Sequence, residues 1–208
     1  MIVCIEGIDG CGKGEQAARL TKRLGAKLFK FPDRSTPTGA LIYGHLEEKW
    51  WVDAKVLEAD VLGMDEALVF QALQLANRME HATELFQAAA RGNVVLDRYW
   101  PSGYAYGSAD GLDPGYMVNL HRWLPQPDMF VLLDIDLATS MKRRPERRDR
   151  YEKLGDHYFD LVIGHYRRLW SQQELEHKWV VVDGRAPPDE VEAQICRAVA
   201  NARELGVG

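Results

Sequence analysis

The sequence predicts an α/β protein built on a five-stranded parallel sheet, and three observations carry that reading. Five short apolar runs rich in β-branched residues recur along the 208 residues, most of them continuous rather than alternating. Strands buried on both faces of a parallel sheet read that way. Segments with helical periodicity separate the runs, and strands alternating with helices imply right-handed crossovers. A glycine-rich turn joins the first strand to the first helix.

The elements follow in order. Strands are expected at 2–5, 28–31, 94–96, 130–135 and 179–182. Residues 13–24 place Ala17, Leu20 and Leu24 on one side of a helix, and 65–91 form a long stretch free of Gly and Pro, expected as helix. A short helix begins at Leu137, and further helices are expected at 151–177 and 189–205, the last entered through Pro187-Pro188 and closed by Gly206. No repeat, low-complexity tract or linker interrupts the chain, so one domain over 1–208 is expected. At 46% hydrophobic and 27% charged residues, the composition excludes a disordered polypeptide, a collagen-like repeat and a disulfide scaffold. No apolar run approaches the roughly 18 residues of a membrane span. The chain opens directly into a strand-like run, and its three cysteines lack C-x-x-C spacing, which together predict a reduced, cytoplasmic setting. The six histidines show no paired spacing, so a zinc site is not expected.

Gly7-Ile8-Asp9-Gly10-Cys11-Gly12-Lys13 carries the strongest chemical signal. Its spacing, G-x-x-x-x-G-K between a strand and a helix, is that of a polyphosphate-binding loop. Glycines let successive N–H groups point inward, and the helix N-terminus adds its positive end. Gly10, Cys11, Gly12, Lys13, Gly14 and Glu15 are therefore the expected contacts to ATP, with Lys13 bridging the outer phosphates. One position departs from the pattern. Gly14 stands where a Ser or Thr would ligate Mg²⁺, and Glu15 follows it, either repelling phosphate or holding a metal-bound water. Asp97-Arg98 ends the third strand, beside this loop at the carboxyl edge of the sheet. There a carboxylate can hold Mg²⁺ through water, and a guanidinium can span two phosphates.

Six segments, taken together and in order, resemble the thymidylate kinase family of P-loop nucleoside monophosphate kinases. They are Glu6-Gly7-Ile8-Asp9-Gly10, Phe31-Pro32-Asp33-Arg34-Ser35-Thr36, Ala76-Asn77-Arg78, Asp97-Arg98-Tyr99 with Ser102-Gly103 and Ala105-Tyr106, Leu124-Pro125-Gln126-Pro127-Asp128, and Asp149-Arg150-Tyr151-Glu152. The resemblance implies ATP-dependent phosphorylation of a deoxynucleoside monophosphate, dTMP first, with Mg²⁺, in a homodimer packed through the long helix from Asp65. It implies that Arg34 grips the acceptor phosphate and Arg98 touches both substrates. Asp9 would accept from the sugar 3′-hydroxyl, and Tyr106 would fill the space beneath the 2′ carbon. Arg78 would donate to a base carbonyl, with Ser102 and Gly103 along the base edge. Arg143 would lie on the adenine of ATP, and Arg185 in the loop 183–185 would close its other side. Adenylate-kinase-like enzymes also read G-K-G, so Gly14 is compatible with phosphoryl transfer.

Gln74 departs from the family, which carries a stacking phenylalanine four residues before its arginine. Phe70 lies one turn earlier on the same face. Either Phe70 or a nearby tryptophan stacks on the base, or Gln74 hydrogen-bonds a different one. Residues 142–150 hold six basic and two acidic residues, a net +4 against −5 for the whole chain. Pro145 and this charge density predict a lid loop. With Gly10 in the phosphate loop, the resemblance places the catalytic arginine in that lid, at Arg147 or Arg148. Three rivals stand beside this reading. They are a kinase for a modified or purine deoxynucleotide, a nucleotide binder without catalysis, and a nucleic-acid binder using the lid. The absence of interleaved aromatics and the acidic remainder argue against the last.

Overall fold

The computed structural model describes residues 1–47, 63–144, 154–172 and 178–206. Five strands, β1 (Ile2–Glu6), β2 (Lys27–Lys30), β3 (Val94–Asp97), β4 (Met129–Asp134) and β5 (Lys178–Asp183), pair in parallel in the order β2-β3-β1-β4-β5. The central strand β1 is buried throughout, as its unbroken apolar run requires. Its side chains alternate between two cores. Val3 and Ile5 join the layer of α1 (Lys13–Leu24), α8 (Asp156–Gln172) and α9 (Pro188–Glu204), while Ile2 and Cys4 join Phe29, Leu85, Leu96, Trp100 and Phe130. The edge strand β2 reads Lys-Leu-Phe-Lys with only Phe29 buried, and its lysines discourage pairing with another chain.

Helices α2 (Pro37–Leu46), α5 (Trp100–Ala109) and α6 (Pro114–Leu120) extend the expected set. Thr36 caps α2 by accepting from Gly39 N–H at 3.0 Å, with Pro37 in the first turn; Asp113 and Pro114 do the same for α6. The stretch expected as one helix over 65–91 is two, α3 (Gly63–Glu80) and α4 (Ala82–Arg91). The break falls at His81. Its ring sits edge-on to Phe31 at 5.7 Å, with Nε2 3.1 Å from the Asp33 carboxylate. Those contacts with the end of β2 outweigh helix propensity at a position with no Gly or Pro to announce it. Residues 151–153 and 173–177 of the helix expected at 151–177 lie outside the described residues. Among the described residues no helix is long and apolar enough to cross a membrane.

Candidate active site

β1 delivers the chain to the carboxyl edge of the sheet at Glu6, and the loop that follows owes its shape to glycine. Gly7, Gly10 and Gly12 all have positive φ, at 142°, 80° and 92°. A Cβ on Gly7 would stand 2.7 Å from the Leu133 carbonyl oxygen, and one on Gly10 3.0 Å from that of Ser140. Ser140, on α7 (Leu137–Arg143), seats the loop by donating to the Asp9 carbonyl at 2.6 Å. Gly12 caps α1 in the left-handed region without a side-chain hydrogen bond, leaving first-turn N–H groups available to an anion. Cys11 is buried, and burial raises the pKa of its thiol above the ordinary value.

Four charged groups converge above the loop. Lys13 Nζ lies 3.0 Å from Asp9 and 3.2 Å from the Ile8 carbonyl. Arg98, held at φ 67°, donates to the Asp9 carboxylate, to Ser102 Oγ at 3.2 Å and to the Gly7 carbonyl at 3.3 Å. Arg144 stands 3.4 Å from the other Asp9 oxygen. Burial opposes ionisation of Asp9, but Lys13 and Arg98 outweigh it and hold the carboxyl well below its usual range. Behind this group lies the fully buried Glu6 carboxylate. It accepts from Tyr99 N–H at 2.7 Å, Ser102 Oγ at 2.7 Å and Tyr166 OH at 3.1 Å. Burial raises its pKa.

Asp97 supplies the test for a metal. Its Oδ1 is buried without a hydrogen-bond partner, and a Cβ on Gly14 would meet Oδ2 at 3.4 Å. An unsatisfied carboxylate beside a polyphosphate loop, with open backbone facing it, fits a hydrated Mg²⁺. No group of three or more His, Cys, Asp or Glu side chains gathers among the described residues, so the phosphates and water would complete its shell.

The loop opens into a cleft of about 640 Å³ that runs from Gly10, Lys13 and Gly14 past Asp97 and Arg98 to the inner face of α3. Phe70, Gln74 and Arg78 all line it, as their spacing of four requires, together with Ser102, Gly103 and Tyr106 of α5. Phe70 is buried with its ring 4.7 Å from that of His45. Arg78 is buried and donates to His121 Nε2 at 3.1 Å; burial lowers its pKa to about 10. Burial and the Arg78 charge in turn lower the pKa of His121 to about 3. The Arg98 guanidinium lies 6.0 Å from the Tyr106 ring centre.

A family model for thymidylate kinase matches residues 5–195. The chain belongs to the thymidylate kinase family. It is 30% identical over 207 residues to a thymidylate kinase of Schizosaccharomyces pombe, covering 96% of this chain and 91% of that one. A probable thymidylate kinase of Thermococcus gammatolerans is 36% identical over 175 residues, covering 81% and 79%. The structure of a thymidylate kinase from Candida albicans superposes with a TM-score of 0.77 at 27% identity over 97% of this chain and 92% of that one. A deoxyadenosine kinase from M. mycoides shares the fold, with a TM-score of 0.68 at 20% identity over 97% and 100%. The protein is therefore a nucleoside monophosphate kinase.

The remaining expected residues are placed as follows. Arg143 reaches across the loop, donating to the carbonyls of Gly10 at 3.2 Å, Gly184 at 2.8 Å and Arg185 at 3.4 Å. Arg143 thus bonds directly to the loop 183–185, which the family resemblance places on the opposite side of adenine from it. The Arg185 guanidinium turns to Asp183 at 2.8 Å. Glu15 pairs with Arg19 at 2.8 Å, and Arg19 reaches on to Asp189 and Glu192 of α9. Arg34 does not line the cleft. It pairs with Glu47 at 2.7 Å over the Tyr43 ring, in a groove shared with Lys27 and Glu84. Trp100 packs on Phe130 and His121 and lines no part of the cleft, so it is not the stacking residue. Arg147 and Arg148 lie outside the described residues. The sequence reading gave no role to Gln71, Tyr43 and Arg144, all of which line the cleft. Gln71 was findable, because with Gln74 and Arg78 it makes an i, i+3, i+7 face.

Proposed function

We propose that the 208 residues act as one kinase domain, moving the γ-phosphoryl group of ATP to the 5′-phosphate of dTMP to give dTDP and ADP. The observation carrying this reading is the single cleft that joins the phosphate loop to the buried Arg78 across Asp97 and Arg98. An acceptor phosphate oxygen attacks the γ-phosphorus in line; the new O–P bond forms as the bond to the β-bridging oxygen breaks. No general base is required, since the nucleophile is already a phosphate oxygen. Catalysis is positioning and charge neutralisation.

Lys13 and the loop amides hold the β- and γ-phosphates, while Arg98 spans donor and acceptor. Leaving Asp9 for phosphate frees the Lys13 and Arg98 charges and turns the Asp9 carboxylate to the sugar 3′-hydroxyl. Asp97 would hold Mg²⁺ through water; the ion, when bound, neutralises charge on the phosphates. Arg34 swings from Glu47 to the acceptor phosphate, Tyr106 excludes a 2′-hydroxyl, and Phe70 supplies the apolar face for the base. Arg78 donates to a base carbonyl, with Gln74, Ser102 and Gly103 around the base. Arg143 and Arg185 flank adenine, and Arg147 or Arg148 neutralises the transferring group. The homodimer forms through α3, and the three unpaired cysteines suit a cytoplasmic setting.

The test is product analysis with ATP, Mg²⁺ and a panel of deoxynucleoside monophosphates. dTDP is expected as the fastest product, and its formation should stop with EDTA. A purine diphosphate formed faster, or no diphosphate at all, overturns the proposal.

A further inference from the structure

Three buried side-chain atoms among the described residues lining the cleft have no hydrogen-bond partner: Asp97 Oδ1, Arg78 Nε and Gln71 Oε1. Asp97 is the residue proposed above to hold hydrated Mg²⁺. The other two, one acceptor and one donor, both stand on α3. An orphaned amide oxygen this deep, on a residue only 1% exposed, is costly unless a ligand supplies the missing donor.

The surroundings say what that ligand must look like. A Cβ on Gly103 would lie 3.1 Å from Gln71 Oε1 and 3.0 Å from His121 Cε1, so α5 carries glycine where the amide and the imidazole close in. His121 Nδ1 lies 2.8 Å from the Met117 carbonyl and must be the protonated nitrogen; Nε2 therefore accepts from Arg78. With one arm of the guanidinium held there, Arg78 Nε is left to donate elsewhere. A base edge that satisfies both atoms presents one donor for Gln71 and one neighbouring acceptor for Arg78. The imide edge of a pyrimidine-2,4-dione does so, with N3–H beside the exocyclic oxygen. Cytosine presents the reverse, an acceptor N3 beside an amino group, and a guanidinium has no acceptor to offer that amino group.

We propose that Gln71 is a specificity-determining residue: its Oε1 accepts the N3–H of a pyrimidine-2,4-dione while Arg78 donates to the adjacent exocyclic oxygen. This rests on the dTMP reading above. Among pyrimidine deoxynucleotides it selects thymine or uracil over cytosine, through the imide proton.

The experiment compares dTMP with N3-methyl-dTMP, in turnover and in equilibrium binding, for the wild type, Gln71→Met and Gln71→Glu. Gln71→Met should lower kcat/KM for dTMP about tenfold, the cost of one buried hydrogen bond, through KM, with the KM for ATP unchanged. The preference for dTMP over the N3-methyl compound should shrink by the same factor, because only the N–H substrate loses a contact. Gln71→Glu keeps an acceptor and should keep the preference. Gln71→Asn withdraws the oxygen by one methylene and should reproduce the loss if the methionine variant does not fold. A preference unchanged in Gln71→Met and Gln71→Asn while the wild type makes dTDP overturns the role of Gln71 and leaves the kinase assignment standing. Discriminating binding of dTMP, abolished in Gln71→Met, without dTDP formation overturns the kinase assignment and upholds Gln71. No binding of dTMP by the wild type overturns both.

Discussion

At the scale of single residues, the cleft is a balance of charges resting on one another until nucleotide arrives. Asp9 is pinned by Lys13, Arg98 and Arg144, so three cations are stored beside the phosphate loop without being left unpaired. Removing Lys13 leaves Asp9 its two arginines, so the fold should survive while the phosphate contact is lost. Lys13→Met is expected to lower kcat about 100-fold or more, with unchanged circular dichroism; Lys13→Arg should not restore it, because a planar fork does not replace a compact ammonium. His121 gives a pH signature. Its folded pKa of about 3 lies below the ordinary value of 6.5, so between these limits the unfolded chain binds the proton and acid favours unfolding. Thermal midpoints should fall from pH 6.5 to 4.5, and His121→Gln should flatten that slope by one proton's share. An identical slope in the variant would show that other groups cause it. The sequence made Lys13, Asp97 and Arg98 legible because their spacing is tied to a strand end and a loop. Glu6 and His121 were not assigned roles because their meaning lies in partners 43 to 160 residues away.

At the scale of elements, the strands were legible and several helices were not. Buried parallel strands announce themselves as continuous apolar runs, and all five were anticipated to within a residue or two. Helix α5 hides because eight of its ten residues are buried, so no polar face gives it a period. The His81 break hides because its cause is the end of β2, not anything in the helix. The phosphate loop, by contrast, is legible and demanding, and its glycines are not equivalent. Gly7 and Gly12 both have positive φ, yet a Cβ on Gly7 would press on a backbone oxygen of β4 whereas one on Gly12 meets nothing within 4 Å. Gly7→Ala is therefore expected to cost more than Gly12→Ala, by about 1–3 kcal/mol in a denaturant titration. Equal losses would mean that backbone conformation alone, and not the crowding against β4, sets the requirement.

At the scale of the whole molecule, the net charge of −5 is the sum of +4 over residues 142–150 and −9 over the other 199. An acidic body must bind nucleotides through local cations, and those cations cluster at the carboxyl edge of the sheet where the crossover topology puts the cleft. The far side of α3 is a different surface. Its inner face carries Phe70, Gln71, Gln74 and Arg78 into the cleft, while Val69 and Met79 are 47% and 46% exposed, and Phe86 of α4 is 57% exposed. Exposed apolar side chains on α3 and α4 are what a self-association face needs, and the proposed homodimer would bury them. A dimer through this face would also brace the helix proposed to read the base. Sedimentation equilibrium is expected to return two chains per particle, and Val69→Glu with Phe86→Glu to return one. The monomeric variant should lose affinity for dTMP more than for ATP, because α1 and the phosphate loop lie on other elements. A wild-type monomer at micromolar concentration would overturn the dimer, and a double variant that stays dimeric would move the interface away from α3.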